Sequence, residues 1–137
     1  MFSNPIASYQ QIDREADIRG SDPHRLIVLL FDGALAALDQ AEAKMAEKDY
    51  GGKSNAIVKA IEIISDGLAA SLNFEGGGQL AHNLKALYDY MVVRLVHANA
   101  QMDAAAVREV RGLLGEIGGA WREMGESLKQ PSSTPPA

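Results

Sequence analysis

Residues 107–128 read VREVRGLLGEIGGAWREMGESL, with apolar residues at Val107, Val110, Leu114, Ile117, Trp121, Met124 and Leu128. The steps alternate three and four without a break, which puts all seven on one face of a helix. The same spacing recurs upstream. Leu80, Leu84, Leu87, Met91, Leu95 and Ala98 form one stripe. Ile57, Ile61, Ile64, Leu68 and Leu72 form another, and Leu26, Leu30, Ala34, Ala37, Ala41 and Met45 a third. Between the stripes, Gly51-Gly52 and Gly76-Gly77-Gly78 read as loops, because helix interiors rarely tolerate clustered glycine. A third break is expected between Asn99 and Asp103, with Asn99 able to take a left-handed cap. Each segment is about 20–25 residues, or about 30–37 Å as a helix. Similar lengths and short connections predict an all-α, antiparallel up-down four-helix bundle.

Composition agrees. The 137 residues hold 21 Ala and 14 Leu but one Thr, and the five prolines lie at positions 5, 23, 131, 135 and 136. Proline is excluded from helix interiors, whereas Ala and Leu favour them. Residues 24–130 are therefore free to be helical, and a mainly β fold is excluded. The first helix should start at Ser21-Asp22-Pro23, where Ser or Asp caps free N–H groups and Pro at the first position wastes no donor. Ile6, Tyr9, Ile12 and Ala16 also have helical spacing, in a short polar arm. The chain thus divides into an arm (1–20), a bundle (21–129) and a tail (130–137) whose KQPSSTPPA composition reads as disordered.

Several function classes drop out. Without Cys there is no disulfide framework, thiol catalysis or Cys-based zinc site, a pattern that points to the cytoplasm. No apolar run approaches a membrane span, and the N-terminus lacks the basic start and apolar core of a signal peptide. A net charge of −5 argues against nucleic acid, because phosphate binding needs a basic surface. No Glu-x-x-His pair, nucleophile elbow or phosphate-binding loop occurs. The chain is expected to be no enzyme, with no catalytic residue, cofactor or metal. One segment imitates chemistry: Ala81-His82-Asn83-Leu84-Lys85-Ala86 resembles the A-H-x-L-K-G box of histidine phosphotransfer bundles. There His82 would accept a phosphoryl group and Lys85 steady it. Ala86 stands where that box has glycine, and the alternative is an ordinary exposed histidine.

Two features exceed what a bundle needs. In helix two, Ala56, Ala60, Ile63, Gly67, Ala70 and Phe74 extend the first stripe to roughly 200° of apolar surface. This fits a helix buried between two neighbours, or a groove for a partner's apolar helix. In helix three the pattern is weaker: Tyr88 and Val92 broaden the stripe on one side, and Tyr90 and Val93 lie off it. Helix four carries Gly112, Gly115, Gly118, Gly119 and Gly125, each costing about 1 kcal/mol against Ala in a helix interior. Either its surface is poorly optimised or the helix is kept deformable.

Asp22-Pro23-His24-Arg25-Leu26-Ile27 with Leu30-Phe31-Asp32-Gly33-Ala34-Leu35 resembles the first helix of the flagellar export (secretion) chaperone FliS family. Lys59-Ala60, Ile63-Ile64, Leu68 and Ser71-Leu72-Asn73 resemble its second. Gly77-Gly78, Leu87-Tyr88-Asp89-Tyr90-Met91, Leu95 and Ala98-Asn99 resemble its third, and Leu113-Leu114 with Ala120-Trp121 its fourth. Asn73 stands where the family usually has an acidic residue, and helix four is richer in glycine. The resemblance implies a cytoplasmic, ATP-independent chaperone that binds the disordered C-terminal segment of flagellin. It would stop premature polymerisation and assist delivery to the type III export gate component FlhA, and a homodimer without client is a further state it admits. The client residues it implies are Ile57, Ala60, Ile64, Leu68, Leu84, Leu87, Tyr88, Tyr90, Met91 and Asn99, with Tyr9 as an N-terminal cap. Of these, Ile57, Leu84 and Leu87 are the first candidates for a purely structural role.

Overall fold

The computed structural model describes residues 22–129, so the arm (1–20), Tyr9 within it, and the tail (130–137) lie outside the described residues. Every regular element among the described residues is a helix. α1 is Pro23–Ala46. α2 is Tyr50–Glu62, continuing through a π-helical turn at Ile63–Leu68 and a 3₁₀ turn at Ala69–Ser71. α3 is Phe74–Gln101 and α4 is Ala104–Lys129. α1 packs against α2 and α4, and α3 closes the ring against the same two. The expected up-down bundle is thus the fold.

The first cap is as the sequence indicates. The Asp22 side chain accepts the Arg25 amide at 3.2 Å, and Pro23 opens the helix. The other breaks differ in detail. Gly51-Gly52 is not a loop but the first turn of α2, capped by Asp49, whose carboxylate accepts the Gly52 amide at 3.0 Å. A Cβ at Gly52 would lie 2.6 Å from that carboxylate, so glycine here makes the cap geometry fit. The first turn has no intrahelical N–H bonds to lose, so glycine costs less there than in the interior. At the next break, Asn73 caps one short turn, and the reversal falls at Gly78 alone, with φ 50° and ψ −129°. At the third, Met102 and not Asn99 takes the left-handed conformation, with φ 52°. Asp103 then caps α4 by accepting the Ala106 amide at 3.2 Å.

The π-helical turn settles one alternative for helix two. Ile63, Ile64, Gly67 and Leu68 within that turn are all buried. Ala56 and Ala60 are buried as well. Most of the extra apolar arc of α2 is therefore core against two neighbours, with Ala70 and Phe74 left exposed. Leu38, Ile57, Ile64, Met91, Leu95, Val107, Val110 and Leu114 form the fully enclosed centre.

Candidate functional site

The expected contact residues separate by burial. Ile57, Ala60, Ile64, Leu68, Tyr88 and Met91 are all enclosed, with at most 4% of their surface exposed. They hold α1, α2 and α3 together in one core. Tyr88 sits deep enough that burial pushes its hydroxyl up to about 12. Leu84 and Leu87 are half-buried at the core's edge, so their side chains keep an outward surface where a purely structural role was foremost. Tyr90 is 43% exposed.

Asn99 is a joint. The Lys53 side chain is 6% exposed, and its Nζ donates to the Asn99 carbonyl at 2.7 Å and to Asn99 Oδ1 at 2.8 Å. The Ser54 hydroxyl donates to the same Oδ1 at 3.0 Å. A buried ammonium needs such partners, because its desolvation is otherwise uncompensated. Lys53 also meets a carbonyl of the last turn of α3, where the helix dipole favours a cation. This joint fixes α2 against the C-terminal end of α3.

α4 is clamped to that same end. Arg94 Nε donates to Glu109 Oε1 at 2.7 Å, the Tyr90 hydroxyl donates to Glu109 Oε2, and His97 meets Asp103 at 3.1 Å. The Tyr90 and Arg94 hydrogen bonds hold the Glu109 carboxyl below its ordinary value. In return, the bond to Glu109 raises the Tyr90 hydroxyl. Among the described residues, every α3–α4 polar contact lies at or beyond Tyr90.

Toward the other end, the seam is apolar and open. With Tyr90 and Arg94 opposite Glu109 in antiparallel helices, Leu87 comes level with Leu113, Leu84 with Ile117 and Leu80 with Trp121. All but Leu80 are half-buried, and Leu80 is 64% exposed. Met124, one turn beyond Trp121, is 45% exposed. Leu80, Leu84 and Leu87 lie within about 60° on α3, and Leu113, Ile117 and Met124 within about 40° on α4. Two apolar flanks thus face each other and do not fully close.

The stripe that defines α4 contains Ile117 and Met124, so periodicity alone assigns them to the core. Ile117 is nonetheless only half-buried and Met124 is exposed, because a period fixes a side chain's angle about its own helix and not what the neighbouring elements cover. Trp121 is held at the rim: its ring stacks on His24 at 5.0 Å, nearly parallel, and its Nε1–H donates to the His24 carbonyl at 3.4 Å.

His82 is exposed and tilts against the Phe74 ring, 4.8 Å between centroids. Lys85 is committed to Asp89, at 2.7 and 2.8 Å. No group of three metal-binding side chains occurs among the described residues, and no described helix is long and apolar enough to cross a membrane.

Fold and surface define a class: a four-helix bundle whose distinguishing feature is an open apolar seam along its third helix. Residues 5–128 match the family described as flagellar protein FliS. The chain is 45% identical to the flagellar secretion chaperone FliS of Salmonella typhimurium, over 87% of this chain and 88% of that protein. It is 42% identical to the Escherichia coli K12 chaperone of the same name, over 91% and 90%. It is 45% identical to FliSB of Pseudomonas aeruginosa, over 85% and 91%. The chain belongs to the FliS family of flagellar secretion chaperones.

Proposed function

We propose that this protein binds the disordered C-terminal segment of flagellin in the cytoplasm, keeps it from polymerising, and assists its delivery to the export gate component FlhA. It acts as a binding protein and not as an enzyme. The observation that carries this reading is the unclosed seam between α3 and α4, where Leu80, Leu84 and Leu87 oppose Leu113, Ile117 and Met124. A flagellin terminus is amphipathic when helical, and left free it self-associates through its apolar face. Laid in the seam, that face would cover the leucines, as an amphipathic helix covers a groove. A segment that orders on binding loses conformational entropy, so contact must extend along the bundle. Tyr90 stands at the closed end of the seam and suits the far edge of the contact. The enclosed residues Ile57, Ala60, Ile64, Leu68, Tyr88 and Met91 support the seam from beneath, and Asn99 fixes the helix that carries it.

Isothermal calorimetry with a flagellin C-terminal peptide tests the reading. Leu80→Asp and Met124→Asp alter exposed positions and should leave the melting temperature nearly unchanged. Each should weaken binding by about tenfold or more, equivalent to about 1.4 kcal/mol. Val58→Asp, on an exposed flank of α2, should not. Wild-type affinity in both seam variants rules the seam out, and no binding by the wild type rules out the client.

A further inference from the structure

The open end of the seam holds the only tryptophan of the chain, and one residue of α1 fixes it. The His24 imidazole lies 5.0 Å from the Trp121 ring and within 4° of parallel, so it takes one face of the indole. The His24 carbonyl accepts the Nε1–H of the same ring at 3.4 Å. Stacking sets the plane of the indole, and the hydrogen bond sets its rotation within that plane. Gly125 in turn seats His24. It is buried, and a Cβ there would collide with the imidazole.

This arrangement costs stability twice. Gly125 lies inside α4, where glycine is the poorest residue after proline. His24 Nε2 is sealed from solvent with no hydrogen-bond partner, and a buried polar atom left unpaired is destabilising. An apolar pair at these two positions would carry neither cost. Trp121 itself is half-buried, so part of the indole stays uncovered. Ile117, Trp121 and Met124 lie within about 60° on α4, and Leu80 comes level with Trp121. The indole therefore borders the apolar surface of the seam.

We propose that Trp121 is a client anchor at the open end of the seam, and that His24 and Gly125 are the positioning residues that preset it. The assignment rests on the client reading of the seam. Tryptophan is enriched among the few residues that carry most of the energy of an interface. A ring already held in one orientation loses less side-chain freedom on binding than one that must be ordered by the partner. The cost of seating His24 on Gly125 is thus borne by the free protein and offset when the client arrives.

The single tryptophan makes the test direct. His24→Leu removes the stacking plane. Gly125→Ala displaces the imidazole while leaving His24 and Trp121 in the chain. Gly118→Ala is the control, because the nearest atoms to a Cβ there all belong to Phe31. Circular dichroism establishes that each variant is folded. The decay of Trp121 fluorescence anisotropy without client then reads the freedom of the ring. The wild type should show only the slow tumbling of the whole protein. His24→Leu and Gly125→Ala should each add a fast local component, since a freed side chain moves in picoseconds to nanoseconds. Both should bind the flagellin peptide about fivefold more weakly, the factor expected when one side chain must be immobilised on binding. Trp121→Leu should weaken it further, and Gly118→Ala should change neither readout. A freed indole with wild-type affinity overturns the proposal, as does an indole that stays fixed in both variants. An equal loss of affinity in Gly118→Ala overturns it in favour of general destabilisation. If His24→Leu fails to fold, Gly125→Ala decides alone. No binding by the wild type refutes the client reading itself and takes this assignment with it.

Discussion

Replacing Gly112, Gly115 and Gly119 together by alanine should stabilise the protein substantially. All three are exposed in the interior of α4, and a Cβ at each would enter open space. Nothing is lost by adding the methyl, and each substitution recovers about 1 kcal/mol of helix propensity. The sites share no partner, so the effects should add to about 3 kcal/mol. For a chain of this size that raises the melting temperature by about 10 °C. Gly118 and Gly125 should behave in the opposite way. A Cβ at Gly118 would lie 3.1 Å from the buried Phe31 ring, which would have to shift by a few tenths of an ångström to admit it. A Cβ at Gly125 would collide with the His24 imidazole. Each of these two should cost about 1–3 kcal/mol. Thermal melts followed by circular dichroism, with urea midpoints for the free energies, make the comparison. A triple variant no more stable than the wild type would refute the reasoning, as would a Gly118→Ala variant that gains stability. The same triple variant separates the two readings of this helix. If α4 must deform to admit a client, the variant binds the flagellin peptide more weakly; unchanged affinity leaves the glycines no part in binding.

Asn99→Ala should be costlier than Lys53→Met, because the first leaves a buried ammonium with fewer acceptors while the second removes the charge itself. Urea denaturation should give about 3 kcal/mol for Asn99→Ala and about half that for Lys53→Met, an order that reverses if the joint is only a packing contact. Acid titration is a third test. The Gly52 amide holds Asp49 below its ordinary value, the Ala106 amide does so for Asp103, and Tyr90 with Arg94 does so for Glu109. A carboxyl lowered on folding stabilises fully above its unfolded value, about 4, and the gain is lost as the pH falls through the folded value. Asp103→Asn should therefore be destabilising at pH 7 and flatten the loss of stability below pH 4; an unchanged acid profile counts against the cap. Finally, deleting Asp66 should convert the π-helical turn to regular helix and leave a folded bundle, since the turn holds one extra residue. Deleting Asn55 from the regular part of α2 should rotate the remainder of that helix by about 100° and lose the cooperative melt.

Much of this was readable from residues 22–129 as a string. The Asp22-Pro23 start, the four stripes and the approximate breaks come from capping chemistry and the period of a helix, both local. A glycine pair reads as a loop until Asp49 is seen to cap it, and Asn99 reads as the left-handed residue until Met102 is seen to take that conformation. The resemblance to the FliS family also lay in the sequence, in residues such as Leu87-Tyr88-Asp89-Tyr90-Met91.

Which apolar residues face outward was decided elsewhere. Ile57 and Leu84 belong to stripes of the same kind, yet one is enclosed and the other half open. Gly115 and Gly118 lie three residues apart, one over empty space and the other against Phe31. A sequence period fixes the angle of a side chain about its own helix axis. Exposure depends also on how far away the neighbouring helix lies. Between α3 and α4 the polar contacts cluster at the end that holds Glu109 and Asp103, and among the described residues the other end has none.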